Sequence, residues 1–157
     1  EMTNLATVTF NMSIIGLILL GYVLINGGQL NGPIVGSIIG AMSFGAFGNQ
    51  VKNTVPVLVG IMIGCYLTGV DVASTSALVA AIFGTTLAPV SGYYGPLAGV
   101  IAGFVHITLV SHVVVMHGGL NLYNNGFAGG FVAAVLVPIF EIFEGIRQDI
   151  NERKAEG

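Results

Sequence analysis

Apolar residues fill this chain in six long stretches, and polar residues survive mainly in the gaps between them. The stretches run over about 4–26, 31–48, 54–70, 72–90, 95–117 and 126–145. Their separators carry turn chemistry: Asn26-Gly27-Gly28, Gly48-Asn49-Gln50, Thr68-Gly69, Pro89 with Ser91-Gly92, and the run from Gly118-Gly119 to Asn124-Asn125-Gly126. A membrane-crossing helix uses about 20 residues. The pattern therefore predicts an all-α membrane protein with about six transmembrane or re-entrant helices.

Two stretches are ambiguous. The second is short for a full crossing, and the fourth opens on Asp71, Ser74, Thr75 and Ser76. Either could be a half-membrane segment, which is tolerated only where protein or a cavity covers its backbone. After Pro138 the pattern changes, and Ile139, Phe143, Ile146 and Ile150 share one helical face while Glu144, Arg147, Glu152 and Arg153 lie elsewhere. This reads as a C-terminal amphipathic helix leaving the membrane. The expected organisation is a transmembrane domain over 1–145 and a cytoplasmic tail over 146–157.

Charge sharpens the membrane reading. Between Glu1 and Glu141 the only charged residues are Lys52 and Asp71, whereas a soluble domain carries about a quarter charged residues. The 24 glycines agree with this, since glycine is enriched in transmembrane helices. A net charge of −3 without a basic run gives no footing for nucleic-acid binding. If every stretch between Lys52 and the Arg147/Arg153/Lys154 tail crosses, both basic positions fall on one side. Basic residues favour the cytoplasm, so the expectation is a multi-pass protein of the bacterial plasma membrane with its C-terminus inside. The first stretch is too long for a signal sequence and lacks a basic leader. A chain starting at Glu is read as processed or as part of something longer.

The sequence also repeats. Asn31-Gly32-Pro33-Ile34-Val35-Gly36 resembles Tyr94-Gly95-Pro96-Leu97-Ala98-Gly99 at an offset of 63 residues, and at that offset Ser13, Gly21 and Leu24 meet Ser76, Gly84 and Leu87. Six crossings would make the paired segments antiparallel, so two inverted three-helix halves, 4–70 and 72–145, are expected, with a solute site between them. Shared helix-start chemistry is the plainer explanation. Gly32, Gly36 and Gly40, and likewise Gly95, Gly99 and Gly103, form small-residue ridges suited to close helix packing.

Candidate chemistry is confined to the few polar residues inside the stretches, because an unpaired polar group in hydrocarbon costs several kcal/mol. His106 and His117 return to nearly one helical face, about 16 Å apart along the axis, and either could bond a solute or simply a neighbouring carbonyl. The run from Gly118 to Gly126 does not read as ordinary helix along its length. It is an external loop, or a folded segment in which Asn121, Tyr123, Asn124 and Asn125 line a solute path. Thr85 and Thr86 precede Pro89, so a helix break is expected near Ala88, with hydroxyls that back-bond or face a pore. Asp71 caps the fourth helix or couples transport to protons or cations. Cys65 reads as a packing residue. Neither a paired nucleophile and base nor a helical metal motif is visible, so an enzyme, a metal and a cofactor are not expected.

The stretch His117-Gly118-Gly119-Leu120-Asn121-Leu122-Tyr123-Asn124-Asn125-Gly126 resembles the C-terminal signature of an uncharacterised bacterial membrane family, found mainly in Firmicutes and known only as a domain of unknown function. The preceding run 87–106, with Pro89-Val90-Ser91-Gly92-Tyr93-Tyr94-Gly95-Pro96, is similar to the same family. More remotely, short glycine-rich helices before long spans resemble one half of a urea-transporter-type channel. That resemblance implies a pore completed by a second copy or a missing half, although the family's proline-rich signature is absent. The expected function is a channel or facilitator for a small polar, uncharged solute. The alternatives are an ion- or proton-coupled secondary transporter and a non-transporting assembly subunit. The expected partners are the lipid bilayer, the solute and a second copy of the chain.

Overall fold

The computed structural model describes residues 4–113 and 121–155, without the side chains of 121–123. Helix α1 (Leu5–Ile25) is followed by α2 (Gly32–Met42), a 3-10 turn (Ser43–Phe47) and α3 (Val51–Thr68). Then come α4 (Thr75–Gly84), a 3-10 turn (Thr85–Leu87), α5 (Ala88–Tyr94), α6 (Pro96–Val113) and α7 (Asn121–Ala155). The helices and the 3-10 turns are the only regular structure among the described residues. Five segments, α1, α3, Thr75–Tyr94, α6 and α7, are long and apolar enough to cross a bilayer, and Gly32–Phe47 is a shorter apolar one. The chain is a multi-pass membrane protein, and the six segments match the six apolar stretches.

Local chemistry starts the helices where the pattern breaks. Asn31 Oδ1 accepts from Ile34 N at 3.1 Å, and Pro33 occupies the first turn, where its missing N–H costs nothing. Ser74 Oγ accepts from Ala77 N at the start of α4. Gly48 takes φ 105, a left-handed conformation open to glycine, and so reverses the chain between the 3-10 turn and α3.

Contacts along the helices give their directions. Met42 packs on Gly16 and Gly45 on Met12, so α2 runs back along α1. Asn31 Nδ2 donates to Thr75 Oγ1 at 2.8 Å and Gly40 lies by Phe83, so α2 and α4 run side by side in one direction. Gly99 meets Pro56, Gly60 meets Val100, and Gly64 meets Phe104 and Ile107, which makes α3 and α6 parallel. Tyr94 stacks on Phe140 at 5.3 Å, and Gly129 lies by Thr86, so α7 follows the direction of α4 and α5. The Thr75–Tyr94 segment is central, with 67% of its window buried against 22% for α1 and for α7.

The N-terminus, exposed Lys52 and the C-terminal turns of α7 thus lie on one face, and Asp71 lies on the other. The crossing parity read from the sequence holds. Helix α7 continues through Pro138 to Ala155 without a break near 145. The inverted halves at the 63-residue offset are not shown, and that similarity reflects two helices that both begin with Pro in the first turn.

The packing shows a parallel correspondence instead. A Cβ on Gly60 would strike the Val100 carbonyl, and one on Gly103 would strike the Val57 carbonyl. Gly60 and Gly103, like Val57 and Val100, are 43 residues apart. The shift also carries α2 and its 3-10 turn onto α4 and its 3-10 turn, and α3 onto α6. Two broken helices therefore enter the bundle together from the Asp71 face, each followed by a full span back.

Candidate polar site at the helix breaks

The site begins with a proline. Pro89 has no N–H, so the carbonyl of Thr85, four residues earlier, loses its α-helical donor and accepts instead from Ala88 N, three residues on. The chain tightens into the 3-10 turn Thr85–Leu87 and restarts as α5. The Asn49 side chain, 3% exposed, gives the same oxygen a second donor: its Nδ2 bonds Thr85 O at 2.8 Å. Asn49 is held by the first broken helix, with its N–H on Phe44 O at 3.1 Å. Asn11 of α1 ties that turn down by donating from Nδ2 to Gly45 O and Asn49 O, both at 2.7 Å.

His106 extends this polar layer. It is fully buried, and its Nε2 lies 3.2 Å from Ala80 O on α4. A carbonyl can only accept, so Nε2 carries the proton in this contact. Asn125 of α7 is a side-chain hydrogen-bond partner of the ring, and Asn124 beside it is fully buried. Gly84 makes room for the imidazole, since a Cβ there would lie 2.9 Å from His106 Cδ2. Thr85 is fully buried with Oγ1 on Ile82 O at 2.6 Å, and Thr86 is exposed with Oγ1 on Phe83 O at 2.9 Å. Both hydroxyls back-bond to their own helix.

The structure thus brings together Thr85, His106, Asn124 and Asn125 of the expected residues. Thr86 sits at the edge of the layer. Asn121 and Tyr123 lie in the first turn of α7, and His117 lies outside the described residues. The expectation that the Asn-rich run is not ordinary helix is corrected from Asn121 to Gly126, which are helical. Their amides are turned into the bundle at Asn124 and Asn125, where the helix loses less by carrying them. Asp71 stands apart on the opposite face, with Oδ1 accepting from Ala73 N at 3.0 Å and its carbonyl accepting from Ser74 N and Oγ. It shapes the turn before α4, while Ser74 is the cap.

Sequence reasoning missed Asn11, which lies inside the first apolar stretch, and Asn49, which reads as part of the turn Gly48-Asn49-Gln50. It also missed Thr54 and Ser91, whose buried hydroxyls have no hydrogen-bond partner among the described residues. Pro89 marks Thr85 in the sequence, but only the fold brings Asn49 to it.

Two cavities approach the layer. One of about 250 Å³, on the Asp71 face, is lined by Val70, Ser76, Ala80, Ile107 and Ser111. Another of about 290 Å³, on the Lys52 face, is lined by Phe47, Gly48, Asn53, Pro89 and Gly92. The first ends at Ala80, whose carbonyl holds His106. The second ends at Gly48, next to Asn49.

Comparison with known families decides the chain's kinship. The family model described as "Protein of unknown function (DUF1576)" matches residues 1–142. The chain belongs to this family. No curated protein and no solved structure is significantly similar to it.

Proposed function

We propose that the protein is a membrane facilitator for a small, uncharged polar solute that carries hydrogen-bond donors. The observation that carries this reading is the buried layer Asn49–Thr85 and His106–Asn125, lying between cavities on opposite faces. Both broken helices point their C-terminal ends at this layer, where the helix dipoles concentrate partial negative charge. A donor on the solute would take the place of the Asn49 amide on Thr85 O, and the solute would then pass His106. The scarcity of buried charge supports an uncharged cargo, because charged or ion-coupled cargo usually recruits intramembrane ionisable residues.

Lys52, Arg147, Arg153 and Lys154 share a face whose opposite carries Asp71, and on the positive-inside rule we assign that basic face to the cytoplasm. A second copy of the chain is a natural partner. Gly32 and Gly36 of α2, and Gly126 and Gly130 of α7, are exposed with open space where a Cβ would stand. Such ridges admit another helix. The same ridges favour the second reading, a non-transporting assembly subunit.

Uptake of urea or glycerol into proteoliposomes tests the proposal. It should be fast, linear in concentration and indifferent to a proton gradient, and it should fall at least about tenfold in a folded Asn49→Leu variant. Uptake no faster than in empty liposomes for every small solute tried would favour the assembly subunit. Strict dependence on a gradient would favour a coupled transporter.

A further inference from the structure

A slot of about 410 Å³ between α5 and α7 has a different character from the two cavities at the polar layer. Its walls are apolar: Leu87 and Val90 on one side, Ala133 and Val137 on the other. Its mouth is not. Glu141 closes the upper end, and Tyr93 and Tyr94 stand beside it. The Glu141 and Glu144 carboxylates both lie close enough to act on the Tyr94 hydroxyl. No described basic side chain pairs with either acid. Tyr93 and Tyr94 hold their rings 6.4 Å apart, and Phe140 braces Tyr94 from behind at 5.3 Å.

The slot lies at one depth along α7. Ala133, Val137 and Glu141 are successive turns of one face, so it runs about 12 Å from the apolar interior to the first acid of the tail. An alkyl chain fits the walls. A cation fits the mouth, where the Glu141 carboxylate and two tyrosines repeat the acid-plus-aromatic arrangement that recognises ammonium groups. We infer that this slot binds a membrane phospholipid with an ammonium headgroup, its head at Glu141 and Tyr93 and one chain against Val90 and Val137. This goes beyond the transport reading and stands without it.

The full chain would be placed in nanodiscs holding phosphatidylethanolamine and phosphatidylglycerol in equal amounts. It would then be moved to a neutral detergent, and the retained lipids counted by native mass spectrometry. Phosphatidylethanolamine should remain at one per chain, favoured roughly tenfold over phosphatidylglycerol. Glu141→Gln with Glu144→Gln should abolish that preference. Tyr93→Ala, at a side chain 84% exposed and so without consequence for folding, should weaken it several-fold. Equal retention of the two lipids by the unaltered chain would overturn the inference. So would a preference that survives the loss of both carboxylates.

Discussion

The Asn49 amide donates to Thr85 O across 36 residues of sequence, at 2.8 Å, and joins the Ala88 N–H on a carbonyl whose α-helical donor Pro89 removed. In water such a carbonyl would find a solvent molecule. In a membrane it must find protein, because an unsatisfied group there costs several kcal/mol. The bond also locks the two broken helices at one depth.

Asn49→Leu should therefore destabilise the fold by about 1–2 kcal/mol, the range for interhelical polar contacts in bilayers. Thr85→Val, which removes only a back-bond within one helix, should cost less than half as much. Unfolding in mixed detergent and denaturant would compare the two, and equal losses would remove the special role of Asn49.

Glycine substitutions should divide sharply by position. Gly60→Ala and Gly103→Ala push a Cβ into a neighbouring backbone, which cannot yield as a side chain can. Each should cost more than about 3 kcal/mol or prevent folding. Gly36→Ala meets open space and should stay within about 0.5 kcal/mol. If Gly36→Leu leaves the monomer folded but dissolves an oligomer seen by cross-linking, the exposed ridge is an assembly surface.

The topology can be read by labelling. In a Cys65→Ser background, thiols at Lys52→Cys and Arg153→Cys should react with an impermeant reagent from the same side of sealed vesicles. A thiol at Asp71→Cys should react only from the other side. Reaction of Lys52→Cys and Asp71→Cys from one side would contradict the crossing order described here.

Asp71 separates facilitated from coupled transport. Its carboxylate caps a local turn at the surface, so Asp71→Asn, which keeps the acceptor, should leave uptake rate and gradient independence unchanged. Asp71→Ala should lower stability by about 0.5–1 kcal/mol through the lost cap. A transport rate that collapses in Asp71→Asn would require a coupling role.

His106 should tolerate a donor better than an apolar isostere. His106→Gln can still reach Ala80 O, whereas His106→Leu removes the buried donor from that carbonyl. The Leu variant should lose about 1–3 kcal/mol more than the Gln variant, with thermal unfolding in detergent as the measure.

From the sequence alone came the membrane class, the six apolar segments, the helix break before Pro89 and the even number of crossings that would place Lys52 beside the C-terminal tail. These follow from hydropathy, proline chemistry and counting, all of which act locally. Only the tertiary structure chose among the polar candidates. It set His106 against Ala80 and turned Asn124 and Asn125 inward, and it recruited Asn49, which the sequence offered as an ordinary turn residue. It also buried the Gly99 and Gly103 ridge while leaving Gly32 and Gly36 outside. The reason is that lipid and protein interior are equally apolar, so hydropathy says which residues leave water but not what they meet. Which carbonyl loses its α-helical donor is written near Pro89. Which side chain answers it depends on two helices entering side by side, and that emerges only when the bundle closes.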